Sequence, residues 1–126
     1  MVNFIQMIAD AVKEVNEFKK DSLDALQKTY GEKMAKIAEI ERQISEIPKT
    51  CVGKSQTFID KKRKQLNEKL DKMNKSVDEW YEKQKQRITE RIESMLADKK
   101  NALEKAKEDA ENEERENDKM VDEITR

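Results

Sequence analysis

Apolar side chains return at steps of three and four residues along two long stretches of this chain, and almost nothing interrupts them. The 126 residues include one proline and two glycines, so residues that break helices are nearly absent. Pro48 and Gly53 lie close together, between the two stretches. This pattern indicates two long α-helices, each with a narrow apolar seam, joined by one short connection.

The composition excludes a broad hydrophobic core. Charged residues make up 44% of the chain and hydrophobic residues 35%, against about 25% and about 45–50% in ordinary globular domains. A chain of this kind forms either a thin coiled-coil seam or a disordered segment. The scarcity of Gly and Pro favours the coiled coil. We therefore expect a single elongated helical domain over residues 1–126.

The boundaries of the two helices follow from the connection between them. Pro48 should end the first helix, because the residue before a proline disfavours the α conformation. The sequence predicts a helix over 3–47, a loop over 48–56 and a second helix over 57–123. A short loop makes two helices antiparallel neighbours. The predicted fold is all-α, a long antiparallel two-helix hairpin (coiled coil) whose second helix is the longer and which can assemble into a larger helical bundle.

Capping residues support both helix starts. Asn3 followed by Gln6 is a capping pair for the first helix. Thr57 followed by Asp60 is the preferred cap of the second helix, with Ser55 as the alternative.

A hairpin requires facing residues to have numbers with a constant sum, and helix ends at 47 and 57 set this sum at about 104. Tyr30 should then face Met73 or Asn74. Residues 102–126 should form an overhang with no partner in the same chain. The predicted hairpin seam consists of Ile8, Val12, Val15, Leu23, Leu26, Tyr30, Met34, Leu66, Leu70, Met73, Val77, Trp80, Ile88, Ile92 and Met95.

The end of the hairpin away from the turn is the first candidate for a partner site. The N-terminal stretch is more apolar than one seam requires, and the overhang ends in a small apolar cluster after the acidic run 108–118, whose net charge is −6. The alternative for the overhang is a solvated acidic tail. The candidate residues for partner binding are Phe4, Ile5, Tyr81, Leu103, Met120, Val121 and Ile124. For Tyr81, packing over its own helix pair is an equal alternative.

Basic residues surround the turn, and they form the second candidate site. Clusters of this kind bind nucleic acid, anionic lipid or acidic protein surfaces, although a solvated face is the commoner explanation. The basic tip and the acidic overhang could also attract each other between stacked molecules. The basic tip consists of Lys49, Lys54, Lys61, Lys62, Arg63 and Lys64.

Nothing in the sequence indicates catalysis. The chain lacks histidine and has one cysteine, Cys51, so the commonest general base and the commonest zinc ligand are missing. Abundant carboxylates on a two-helix protein have no concave pocket to desolvate them. We expect no enzyme activity, no catalytic residue, no cofactor, no metal site and no small-molecule substrate.

The expected function is that of a structural or assembly component, a coiled-coil rod that docks into a larger protein complex. Abundant Lys, Asn and Ile are typical of AT-rich genomes, which favours a phage or virion structural protein. The alternatives are an adaptor or chaperone-like scaffold, and a nucleic-acid or membrane-surface binder acting through the basic tip. The expected partner is protein, by self-association or in a larger assembly. No signal peptide or transmembrane segment is expected, which predicts a cytoplasmic location or one within a macromolecular assembly.

Overall fold

The computed structural model describes residues 3–125, and within them it contains three helices and no strand. Helix α1 spans Phe4–Ser45, α2 spans Ile47–Thr50 and α3 spans Gln56–Thr125. Side chains of α1 contact side chains of α3, so the predicted all-α helical hairpin is confirmed. Residues 1, 2 and 126 of the predicted domain lie outside the described residues.

Contacts between Cα atoms divide the chain into two compact units. The turn unit comprises Ser22–Arg87, which includes the chain reversal. The terminal unit comprises residues 1–21 together with 88–126. Each unit is described below by itself.

Short polar side chains begin both long helices. The Gln6 amide donates a hydrogen bond to Asn3 Oδ1 at 3.0 Å, as the predicted capping pair requires. The Phe58 amide donates to Ser55 Oγ at 3.2 Å, so Ser55 caps α3. The preferred cap, Thr57, already lies inside the first turn of α3, and a cap must precede the helical residues.

The connection between the long helices spans residues 46–55 and is partly helical, whereas a loop over 48–56 was predicted. Residues Ile47–Thr50 form α2, with Pro48 in its first turn, where a missing N–H leaves no hydrogen bond unmade. At this reversal, Glu46 and residues 51–55 are outside helices. Gly53 has φ +78°, a left-handed conformation that glycine adopts without steric cost.

The core of the turn unit lies directly beside the reversal. Ile40, Ile47, Cys51 and Leu66 are buried against one another. Cys51 is only 5% exposed, so this thiol is a core residue and not an exposed group at the tip. The partly buried residues packed against this cluster are Ile44, Ile59, Leu70 and Met73.

Arg42 connects two carboxylates at the end of α1. Its Nε donates to Glu39 Oε2 at 2.9 Å, and its Nη1 donates to Glu46 Oε1 at 2.8 Å. The hydrogen bond from Arg42 is the main reason why the pKa of Glu39 lies below its ordinary value. The same bonds raise the pKa of Arg42. A cation here also interacts favourably with the negative end of the helix dipole.

The Glu39–Arg42 pair should make the folding stability depend on pH in the acidic range. Because the folded state lowers the pKa of Glu39, the contribution of this group is present above its unfolded pKa and is lost as the pH falls through the folded pKa. We expect the stability difference between the wild type and Glu39→Gln to shrink between about pH 6 and about pH 3. Urea denaturation followed by circular dichroism measures it. A difference that stays constant with pH would contradict the assignment.

Burial along both long helices repeats every eleven residues. In α1, Val15, Leu26 and Ile37 are buried. In α3, the buried Leu66 and Val77 are followed at the same interval by half-buried residues 88, 99 and 110. An eleven-residue repeat corresponds to about 3.67 residues per helical turn, against 3.5 for the heptads of left-handed coiled coils.

This period changes the predicted seam of α1. Ile8 and Val12 are 50% and 55% exposed, and Leu23 and Met34 are 38% and 36% exposed, so these four residues lie on the flank of the seam. Met7, Ala11, Phe18 and Ser22 are the less exposed residues instead. The other predicted seam residues are buried or half-buried: Val15, Leu26, Tyr30, Leu66, Leu70, Met73, Val77, Trp80, Ile88, Ile92 and Met95.

The register between α1 and α3 also differs from the predicted one. In the turn unit the ring centres of Tyr30 and Tyr81 lie 5.0 Å apart, whereas the predicted register placed Met73 or Asn74 opposite Tyr30. The partner is therefore seven or eight residues farther along α3. Seven residues are about two helical turns, which keep the same face of α3 towards α1. The apolar pattern alone does not distinguish two registers related in this way.

Candidate functional site

The terminal unit contains an apolar groove between α1 and α3, with a volume of about 440 Å³. Ile8, Val12 and Leu96 line this terminal groove and remain 50%, 55% and 52% exposed. The remaining lining residues are Met7, Asp10, Ala11, Glu14, Val15, Lys99, Lys100, Ala102 and Leu103. Apolar side chains at about half exposure in a concave surface are typical of protein interaction sites.

Charged residues border the terminal groove and are partly engaged with one another. The Lys99 ammonium donates to Glu14 Oε2, across from one helix to the other. Gln6 Nε2 donates to Asp10 Oδ1 at 2.7 Å. An apolar floor with a polar rim is the usual arrangement of a protein interface. The groove can therefore receive apolar side chains of another protein segment while its rim stays solvated.

In the structure the overhang begins later than residue 102, where it was predicted to begin. Leu103 is half-buried and lines the terminal groove with residues of α1, so the prediction that it faces nothing in its own chain is wrong. Ala106 and Ala110 are half-buried as well. A shift in register accounts for this, because Glu14 of α1 contacts Lys99 of α3, a later residue than the predicted sum of about 104 gives. At the N-terminus, Phe4 is half-buried and Ile5 is 82% exposed.

The last fifteen residues of α3 that the structure describes, 111–125, are all exposed. Met120 is 59% exposed, Val121 57% and Ile124 81%. These three predicted partner residues therefore lie on helical surface that is open to solvent. The acidic run 108–118 precedes them directly.

Of the two predictions for Tyr81, the structure agrees with packing over its own helix pair, within the turn unit. Its ring contacts that of Tyr30, and its hydroxyl accepts a hydrogen bond from Gln27 Nε2 at 3.3 Å. Lys85 Nζ lies 5.5 Å from the centre of the ring. Tyr81 is consequently half-buried and its polar atom is already bonded.

The turn unit has a second groove, also of about 440 Å³, which the sequence did not predict. Four lysines line it: Lys33 and Lys36 from α1, and Lys69 and Lys72 from α3. The remaining lining residues of this lysine groove are Gln65, Glu68, Met73, Ser76 and Val77. The two pairs share the spacing i, i+3, which places both members on one helix face. This spacing is visible in the sequence, but only the register between α1 and α3 brings the two lysine pairs together.

The residues of the predicted basic tip are all exposed. Within residues 3–125, none of the six lies in an ion pair. Lys54 Nζ lies 5.6 Å from the centre of the Phe58 ring, which is the aromatic contact in this region. The tip is thus a positively charged surface without neutralising partners in the described part of the chain.

Within residues 3–125, no helix combines the length and the apolar character that crossing a membrane requires. No known family model matches the sequence. A comparison with curated proteins finds no significant match, and a comparison with solved structures finds none either.

Proposed function

We propose that this chain is a non-enzymatic structural or assembly component, a helical hairpin that docks into a larger protein complex through the terminal groove. Its expected place is the cytoplasm or the interior of a macromolecular assembly such as a virion. The observation that carries the proposal is the half-exposed apolar set Ile8, Val12 and Leu96 in one concave surface.

Covering this groove would be energetically significant. Removing apolar surface from water contributes about 25 cal/mol per Å², so covering one large aliphatic side chain contributes about 1–2 kcal/mol. A few such residues dominate the affinity of a typical protein interface. An amphipathic helix is a suitable occupant, because helices lay their apolar faces into grooves of this kind.

Substitution of Val12 tests the proposal in the source cells. Val12→Glu places a carboxylate in the groove and should lower the amount of chain recovered in its native complex about tenfold, since a buried unpaired charge opposes docking. Ala9→Glu is the matched control, because Ala9 is exposed on the same helix and does not line the groove. Quantitative mass spectrometry of the purified complex gives the occupancy. Equal occupancy of the wild type and Val12→Glu would refute the proposal.

An adaptor or chaperone-like scaffold is the alternative that uses the same groove. The native mass of the complex separates the two roles. Many symmetric copies of the chain indicate a structural component, whereas one copy per partner molecule indicates an adaptor.

The unpaired tip cations favour a second candidate, binding of nucleic acid or an anionic membrane surface. Binding of this kind should weaken steeply with salt. The double reversal Lys61→Glu/Lys62→Glu should then reduce binding of a labelled duplex DNA or of phosphatidylserine vesicles at least about tenfold. An unchanged binding curve for this variant would exclude the candidate.

A further inference from the structure

We propose that the acidic end of α3, residues 108–125, docks into the lysine groove of the turn unit of a second copy of this chain. The inference rests on the proposed role in assembly and adds one specific contact, between copies. It does not involve the terminal groove, so the two proposals can fail separately.

The lysine groove has the properties of a receptor for an acidic segment. Lys36, Lys69 and Lys72 have no ion-pair partner in the described part of the chain. Lys33 lies over the Trp80 ring at 4.8 Å from its centre, which holds its ammonium in place without neutralising it. Glu68 is the single carboxylate in the lining. Met73 and the buried Val77 supply apolar surface.

The acidic end of α3 has a matching pattern. Val121 follows the half-buried Ala110 by eleven residues, so it continues the period that the seam follows along α3. Met120 and Ile124 are four residues apart and therefore neighbours on the helix surface. These apolar side chains have no cover, because every residue of 111–125 is exposed. Acidic residues surround them.

Net charge determines which surface of a second copy is suitable. The turn unit has 16 basic and 11 acidic residues, a net charge of +5, whereas residues 108–118 carry −6. Pairing two acidic ends with each other would bring like charges together, which opposes association. The rest of the terminal unit, 1–21 with 88–107, has eight residues of each sign. The turn unit is therefore the part of the chain that attracts the acidic end.

The dimensions of the two elements agree. Along α3, the groove lining extends from Gln65 to Val77, which is about 18 Å at about 1.5 Å per residue. The exposed helical end, 111–125, is about 21 Å long by the same measure. The contact joins unlike surfaces, so it produces a ring if it closes and an open chain of molecules if it does not.

Sedimentation velocity of the full chain tests the contact. We expect the average mass to rise with protein concentration, and association to weaken at least about tenfold between about 0.05 M and about 0.5 M salt. The groove variant Lys69→Glu/Lys72→Glu should lose association about tenfold. The tip variant Lys61→Glu/Lys62→Glu makes the same change of charge outside the groove and should stay within about twofold of the wild type. Circular dichroism verifies that each variant is folded.

A charge exchange decides whether the two surfaces meet. Glu113→Lys/Glu116→Lys, in the acidic end, should also weaken association alone. An equimolar mixture with the groove variant should restore association. The intact acidic end of the groove variant then meets the intact groove of the other variant, and the two reversed surfaces are also complementary. A wild type that remains monomeric at low salt, a tip variant as defective as the groove variant, or a mixture that stays dissociated would each overturn the inference. In all three cases the proposed function would still stand if the Val12→Glu variant is depleted from the native complex.

Discussion

Replacement of Ile37 by alanine is expected to destabilise the hairpin by about 2–5 kcal/mol. Ile37 is 1% exposed, one of the two most completely buried large side chains in the described residues. The substitution removes buried apolar surface and leaves a cavity that a thin two-helix core can fill only partly. Because the total stability of a small domain is about 5–15 kcal/mol, this single change should remove a large part of it.

Met34→Ala is the matched control for Ile37→Ala. Met34 lies on the same helix, three residues earlier, and is 36% exposed. Its truncation removes a side chain that the fold covers incompletely, so we expect a loss below about 1 kcal/mol. Urea denaturation of both variants, followed by far-ultraviolet circular dichroism, gives the comparison. Equal losses for the two variants would mean that α1 does not present the Ile37 face to α3.

The two glycines should respond in opposite directions to alanine. Gly53 has φ +78°, where a Cβ costs about 1–2 kcal/mol, so Gly53→Ala should destabilise the turn. Gly31 lies within α1, where alanine is about 1 kcal/mol more favourable than glycine, so Gly31→Ala should stabilise the helix. Apart from the neighbouring residues and the local helix backbone, no heavy atom lies within 4 Å of the position that a Cβ would take at either site. Backbone conformation and not crowding therefore determines both signs.

Thermal unfolding of the two glycine variants measures this difference directly. We expect the midpoint temperature of Gly31→Ala to lie above that of the wild type and that of Gly53→Ala to lie below it. A stabilised Gly53→Ala variant would show that the reversal does not use a left-handed residue at this position.

The seam of α3 was predictable from the sequence, whereas the seam of α1 was predictable only in part. Along α3, residues such as Leu66, Val77 and Ile88 follow the eleven-residue period with apolar side chains. In α1, polar residues such as Ser22 and Lys33 occupy covered positions, and Ile8 and Val12 occupy the flank. A prediction from apolar character alone therefore assigned the flank residues Ile8 and Val12 to the seam. The eleven-residue period of α3, applied to α1, would have identified Phe18 as a seam residue.

The candidate sites were predictable to different degrees for a related reason. The exposed residues Met120 and Ile124 follow from a helix that continues beyond its partner. The terminal groove and the lysine groove required the pairing of residues far apart in sequence, such as Lys36 with Lys69. For Tyr81 the sequence left open whether it faces a partner or its own helix pair, and only the contact with Tyr30 decided it.

The sequence by itself determined that this chain forms two long helices joined by one reversal, because only residues 48–55 combine proline and glycine between uninterrupted helix-forming stretches. It also determined the charge of each stretch, including the acidic run at 108–118. The tertiary structure alone decided the register. Shifts by two helical turns present the same apolar face, and only the packing of side chains such as Tyr30 on Tyr81 distinguishes them. The register in turn placed the lysines in one groove and left residues 111–125 uncovered.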